Sequence, residues 1–229
     1  LSDNEEYLKR LDRIYRKVNE RFGPYSPTVS YVAQAPYPDG LAMEAHEVVL
    51  TADDIIEYKH VNGLPYITIQ QQVCKRLFVS GIRGDILHEN IRTQSNQIFE
   101  ILAEILNTEE IPVSSIVRQW NYIEQITAVD PDGHQHYQDF NDARSLFYQS
   151  ATWVDGYPAA TGIGTQWGGV MVDVDTYSAA PLAALGSGAS PVDNPLQVSA
   201  HAYSHCLLLG KNFLLYPSDP ADAVDSFDL

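Results

Sequence analysis

The stretch Leu77-Phe78-Val79-Ser80-Gly81-Ile82-Arg83-Gly84-Asp85, with the amphipathic run that follows it to about residue 106, limits the fold more than any other part of the chain. Its first half is an apolar strand, and Gly81 and Gly84 bracket Ile82-Arg83 as a tight loop. In the run after it, Ile91, Ile98, Leu102 and Ile105 recur at helical spacing, joined by Phe99, Ile101 and Leu106. Ile111-Pro112 ends that helix. A strand over 115–127 carries Val117, Trp120, Tyr122 and Ile126, and Asp130-Pro131-Asp132-Gly133 makes a turn. A second helix over 135–151 and a strand pair over 158–164 and 169–177 complete the unit. On the last strand Asp173 and Asp175 alternate with Val172 and Val174, so the two acids share one face. Elements in this order require a sheet with helices on one side, an α+β fold.

Upstream, Leu8, Leu11, Ile14, Tyr15, Val18 and Phe22 predict a helix over 4–22, capped by Asp3 or Asn4 and stopped by Gly23-Pro24. Strands are expected over 28–34 and 41–50, joined by the turn Pro36-Tyr37-Pro38-Asp39-Gly40. Asp53-Asp54 begins a short link to strands over 65–71 and 76–80. The helix–strand–turn–strand pattern occurs twice. Pro27-Thr28-Val29-Ser30-Tyr31-Val32 and Leu41-Ala42-Met43-Glu44-Ala45 answer to Pro158-Ala159-Ala160-Thr161-Gly162-Ile163 and Val170-Met171-Val172-Asp173-Val174-Asp175. The chain thus divides into a partial unit (1–55), a complete unit (64–178) and a tail (179–229). In the tail an Ala/Gly/Ser/Pro-rich linker precedes a short strand over 196–203, an apolar run over 205–216 and an acidic end.

Fourteen Lys and Arg against 30 Asp and Glu give a formal net charge of −16, which repels phosphate backbones, so no nucleic-acid partner is expected. No stretch suits a membrane span, no signal peptide is visible, and a cytoplasmic protein is expected. The chain starts at Leu1 rather than Met, which leaves open whether residues precede it. Cys74 and Cys206 lie far apart without metal-type spacing and are read as reduced thiols. The seven histidines form no metal motif, no nucleotide-binding glycine pattern occurs, and neither metal nor cofactor is expected.

Several of these segments resemble the RidA/YjgF superfamily. They are Leu77-Phe78-Val79-Ser80-Gly81 with Gly84-Asp85, Gln94 and Asn96 entering the long helix, Phe140-Asn141, and the strand Val172-Asp173-Val174-Asp175. A nearer resemblance is to the chorismatases, pyruvate-releasing chorismate hydrolases with two RidA-like units. It rests on Arg118-Gln119-Trp120-Asn121-Tyr122, Tyr137-Gln138-Asp139-Phe140-Asn141-Asp142-Ala143-Arg144, Pro158-Ala159-Ala160-Thr161-Gly162-Ile163-Gly164-Thr165 and Asn194-Pro195-Leu196-Gln197-Val198-Ser199-Ala200. The resemblance implies a RidA/YjgF (chorismate mutase-like) α+β fold in which the first unit is partial. It also implies assembly as a homotrimer, or as a hetero-oligomer with a related chain, with small carboxylate ligands between subunits. By family position, Asp173 is the candidate catalytic acid and Ser80 and Asn141 are candidate substrate-binding residues; Arg83, whose glycine-bracketed loop suits the mouth of a pocket, and Arg118, Tyr122, Arg144 and Tyr203 are the other candidate substrate-binding residues.

Each has a plainer alternative. Arg83 suits a solvated loop, Arg118 and Arg144 suit structural ion pairs, Ser80 a turn, Asn141 a helix surface, and Asp173 and Asp175 a solvated face. Where the RidA deaminases carry a carboxylate-binding arginine this chain has Pro158, and where chorismatases have an arginine in Asn-Pro-Arg-Gln it has Leu196. The family's Tyr-Arg-Tyr-Pro becomes His201-Ala202-Tyr203-Ser204, and the unit bearing the catalytic glutamate has no counterpart after Tyr216. Two readings follow. One is binding and hydrolysis of chorismate or a related cyclic enol-pyruvyl carboxylate, with pyruvate release. The other is a non-catalytic binding or scaffold subunit.

Overall fold

The structure, a computed structural model, describes residues 1–34, 41–154 and 156–179 and the backbone of 201–210. The expected turn over 36–40, the linker over 180–195, the start of the strand placed at 196–203 and the acidic tail lie outside the described residues, as does the side chain of Tyr203. In chain order the elements are α1 (Asn4–Phe22), β1 (Thr28–Val32), β2 (Leu41–Val49), β3 (Ile55–Val61), β4 (Leu64–Gln70), β5 (Cys74–Arg83) and α2 (Ile91–Thr108). Then come β6 (Ile116–Glu124), α3 (His136–Tyr148), β7 (Ala159–Thr165), β8 (Val170–Ala179) and β9 (His201–Gly210).

Helix α1 matches its predicted span because its sequence is locally consistent. Asp3 accepts the Glu6 N–H at 2.8 Å, Glu5 and Glu6 sit at the positive helix start, and Tyr7, Leu11, Ile14 and Val18 form one buried stripe. Helix α2 starts at Ile91 because Asn90 is the cap and accepts the Thr93 N–H at 2.9 Å.

The larger sheet has six strands in the order β3-β4-β5-β8-β6-β7. Strand β3 corrects the sequence reading, which ran a link through this region. It pairs with β4 along its whole length, from Ile55 opposite Gln70 to Val61 opposite Leu64. Asn62 and Gly63, both at positive φ, close that hairpin, the residue pair that two-residue turns select. One face of the sheet carries Leu77, Val79, Ile82, Val170, Val172 and Val174, packed on Ile98, Leu102 and Ile105 of α2 and Phe140 of α3. Each fully buried side chain of this kind contributes roughly 1.5–3 kcal/mol.

A second sheet runs β1-β9-β2 and repeats part of the first. Here β1 is parallel to β9 and β2 antiparallel to it, as β7 is parallel and β8 antiparallel to β6. Ser30 and Glu44 both pair with Leu207, just as Thr161 and Asp173 both pair with Trp120. A strand from the far end of the chain thus fills the place that β6 fills in the large sheet. It covers 201–210, longer and later than the short strand expected over 196–203.

The helix-free face of the large sheet is covered in part from within the chain. Val32 packs with Tyr122 and Met171, and the His46 ring lies edge-on to Trp120 at 6.1 Å. At one end, Asn4 clamps the two parts. Its Nδ2 donates to Glu124 at 3.0 Å and its Oδ1 accepts the Gly168 N–H at 2.8 Å.

Candidate functional site

The site is built where β5 breaks its register with β8. Val79 pairs with Val174 and Ile82 with Val172, so Ser80 and Gly81 together oppose Asp173. This is a β-bulge, and it turns the Gly81 N–H onto Asp173 Oδ1 at 2.7 Å. Gly81 has φ 75, and a Cβ there would meet the Val29 carbonyl oxygen at 2.7 Å and the Tyr15 hydroxyl at 3.1 Å, so no other residue fits without strain.

Asp173 has no exposed surface. Besides Gly81, Ser30 of β1 donates its hydroxyl to Oδ1. Burial pushes the carboxyl up to about 7, against the pull of Ser30, Gly81 and Arg83, and the neighbouring Asp175 adds to the rise. Ser80 is buried beside it, its hydroxyl 3.0 Å from that of Thr28.

Arg83 ends β5. Its Nε donates to the Gly81 carbonyl at 3.2 Å, and Nη2 reaches the Tyr15 hydroxyl and the Met171 sulfur, each at 3.5 Å. Its guanidinium lies 5.8 Å from the Tyr7 ring centre, while Nη1 is sealed from solvent with no hydrogen-bond acceptor. Arg83, Gly81 and Tyr15 line a cavity of about 220 Å³ that extends past Leu11 to the β3–β4 hairpin.

The same sheet face continues through Tyr122, Trp120 and Arg118. Tyr122 is buried, and burial first, then the Asp173 charge, raises its hydroxyl. Arg118 stacks over Trp120 at 4.9 Å and donates to the Thr161 hydroxyl at 2.5 Å. Asp175, half-buried opposite Arg118, is raised to about 6 by burial, against the attraction of His46, Arg76 and Arg118.

The geometry therefore brings Ser80, Arg83 and Asp173 together, with Tyr122 and Arg118 further along the face. Asn141 and Arg144 belong to α3, in the helix layer on the opposite side of the sheet, and bind each other at 2.5 Å. Tyr203 lies on β9, and its backbone pairs with Glu47. Sequence reasoning missed Thr28, Ser30, Tyr7 and Tyr15, all from the first unit. The available signal was a pair of hydroxyl residues at i and i+2 of an apolar strand whose every position is buried. Among the described residues no group of His, Cys, Asp and Glu is placed to hold a metal ion, and Cys74 is a buried free thiol. No helix there is long and apolar enough to cross a membrane.

The helix-backed mixed sheet, with its acidic central strand, is an α+β fold. The sequence pattern of the family described as chorismatase FkbO/Hyg5-like, N-terminal, matches residues 50–174, more than half of the chain. The chain belongs to that family. The chain is also 36% identical over 107 residues to a 3-hydroxybenzoate synthase of Streptomyces hygroscopicus, a match that covers 46% of this chain and 28% of the relative. It thus spans little more than a quarter of the length of that curated relative. Among solved structures, a chorismatase is similar over 53% of this chain and 34% of its own, at 22% identity and a TM-score of 0.39. A YjgF/YER057c/UK114 family member from Mycobacterium tuberculosis is similar over 48% of this chain and 83% of its own, at 12% identity and a TM-score of 0.36.

Proposed function

We propose that the protein binds chorismate or a related cyclic enol-pyruvyl carboxylate and cleaves its enol ether, releasing pyruvate. The observation that carries this reading is the Asp173 carboxyl, raised by burial to about 7 in a chain of a chorismatase family. Enol-ether hydrolysis starts with protonation of the vinyl carbon, which needs an acid still protonated near neutral pH. Asp173 delivers that proton, water adds to the resulting oxocarbenium carbon, and the hemiketal collapses to pyruvate and the ring alcohol. The proton lost by the water as it adds restores the acid, and the hemiketal's hydroxyl proton passes to the departing ring oxygen. Arg83 anchors a substrate carboxylate, a role for which its planar fork of donors is suited. Ser30 lies over Asp173 and Thr28 over Ser80, so on this reading the substrate approaches from the Gly81–Arg83 side, where the cavity is, although Asp173 itself does not line that cavity. Ser80 holds β1 in place at this junction, and Tyr122 and Arg118 border the same sheet face. The 3-hydroxybenzoate synthase relative, named for an aromatic acid product, agrees with a cyclic carboxylate substrate.

The reading predicts that purified protein incubated with chorismate releases pyruvate above a buffer control, followed with a pyruvate-specific coupled assay. No release, together with no heat of chorismate binding in calorimetry, would overturn it.

A further inference from the structure

Strand β1 is packed as core, yet it carries two hydroxyl side chains. Thr28 to Val32 are all buried, and Thr28 and Ser30 project to the same side. A strand present for packing alone would be apolar here, since a buried hydroxyl costs free energy unless it is bonded. Both are bonded. The Thr28 hydroxyl lies 3.0 Å from that of Ser80, and Ser30 donates to Asp173 Oδ1. The strand that carries them is fixed from several directions. Tyr7 donates its hydroxyl to the Tyr31 carbonyl at 2.7 Å, Tyr15 reaches the Val29 carbonyl at 3.4 Å, and β9 pairs with β1 from Thr28 to Val32. The Val29 carbonyl in turn stands where a Cβ on Gly81 would be 2.7 Å away, so β1 and the bulge of β5 fit one another.

Two donors from these two strands converge on one oxygen. The Gly81 N–H reaches Asp173 Oδ1 at 2.7 Å, and the Ser30 hydroxyl reaches the same atom. A carbonyl oxygen has two lone pairs to offer, whereas a hydroxyl oxygen must also place its own proton. With two donors already on Oδ1, the proton of the neutral acid belongs on Oδ2. The repeat shows that this arrangement is not a general property of the strand position. Glu44 occupies the matching register position in the second sheet and is exposed. Thr161, which matches Ser30, accepts from Arg118 instead.

We propose that Ser30 is a positioning residue for Asp173: together with the Gly81 N–H it fixes Oδ1 as the acceptor oxygen and leaves Oδ2 to carry and deliver the proton. The partial first unit thereby serves the complete one, by supplying this hydroxyl. The inference deepens the reading given under Proposed function and rests on it only for the destination of the proton. The charged and titratable groups around Asp173 are Arg83 of β5, Asp175 of β8, Tyr122 of β6 and Tyr7 of α1, and a substitution at Ser30 leaves all four in place.

Infrared difference spectroscopy and aspartate NMR on the full chain test it, with Asp173→Asn identifying the Asp173 signals. At about pH 5 the carboxyl is protonated, and its C=O stretching band should move to higher frequency in Ser30→Ala, because the carbonyl oxygen loses a donor. The titration midpoint should rise by about one to two units, the worth of a hydrogen bond to a charged acceptor. Ser30→Thr keeps the hydroxyl and should return both signals to their wild-type positions. Ser30→Val matches threonine in size and should behave as alanine does, so the Thr and Val pair separates the hydroxyl from packing. At the same pH, kcat for pyruvate release should fall about 10- to 100-fold in Ser30→Ala with KM little changed, as for a misplaced reacting group. An unmoved band or midpoint in Ser30→Ala, identical signals in the Thr and Val variants, or an unchanged kcat would each overturn the proposal. A wild type that releases no pyruvate, with band and midpoint moving as expected, would remove the hydrolytic reading and uphold the placement of the proton. Pyruvate release by the wild type with an unmoved band would do the reverse.

Discussion

Asp173→Asn is expected to be more stable than the wild type above pH 7 and to release no pyruvate. The stability half follows from proton linkage. The folded carboxyl titrates at about 7, against 3.8 for an ordinary aspartate, so the folded state holds a proton that the unfolded state gives up. The contribution of the neutral form is fully present below 3.8 and is lost as pH rises through 7. The difference corresponds to at most about 4 kcal/mol. Asparagine stays neutral, and its carbonyl oxygen still accepts from Ser30 and Gly81, so the variant avoids this loss. Urea denaturation at pH 8 should therefore show a higher midpoint for Asp173→Asn, and at pH 4 the two proteins should nearly coincide. The activity half follows from the missing proton, and a loss of about 100-fold or more is expected for removal of a general acid. A carboxyl whose removal strengthens the fold and ends the reaction is one that the fold holds against its own stability. A variant less stable than the wild type at pH 8 would mean that the Asp173 charge is a structural partner of Arg83, and the acid assignment would fall.

Glu109→Gln is expected to act in the opposite sense. Glu109 closes α2 with its side chain only 3% exposed, between Lys59 at 3.0 Å and Lys75 at 2.9 Å, and accepts the Tyr66 hydroxyl at 2.7 Å. These contacts tie β3, β4 and β5 to the end of the helix. Burial pushes the carboxyl up, but Lys75, Tyr66 and Lys59 together outweigh it and hold it below its ordinary range. Its stabilisation is therefore present above about 4.5 and lost as the solution becomes more acid. Glutamine leaves both lysines facing a neutral amide. Because both keep some contact with water, the expected loss is about 2–3 kcal/mol, near the lower end for a broken buried pair. Thermal or urea unfolding at pH 7 checks it. Since Glu109 favours higher pH and Asp173 lower, the wild-type stability profile should peak in the mildly acid range. Each variant should flatten one flank.

The helices were legible in the sequence because their evidence is local. The stripe from Tyr7 to Val18 and the cap at Asp3 fix α1, and the alternation of Val172 and Val174 with the two aspartates puts the acids on the face away from the helices. The repeat was legible too. The residues aligned as Ser30 with Thr161 and Glu44 with Asp173 occupy matching register positions in the two sheets. The β3–β4 hairpin was missed although Asn62-Gly63 marks it, because the mixed burial of β3 gives no clean two-residue period. What no local pattern carries is the meeting of Ser30 with Asp173, 143 residues apart, and the arrival of β9 between β1 and β2. Those contacts depend on how two sheets pack, and they decide the environment of the candidate acid. The same packing separates Asn141 and Arg144 from it: both were placed near the site by the family resemblance, and a sheet stands between.

The most direct test is the titration of Asp173 itself, by carbon-detected NMR of aspartate side chains in the wild type, with the Asp173→Asn spectrum supplying the assignment. A carboxyl carbon that titrates with a midpoint of about 7 is the predicted result. A midpoint in the ordinary aspartate range, about 4, would contradict the account, because a carboxyl already ionised at neutral pH has no proton to give.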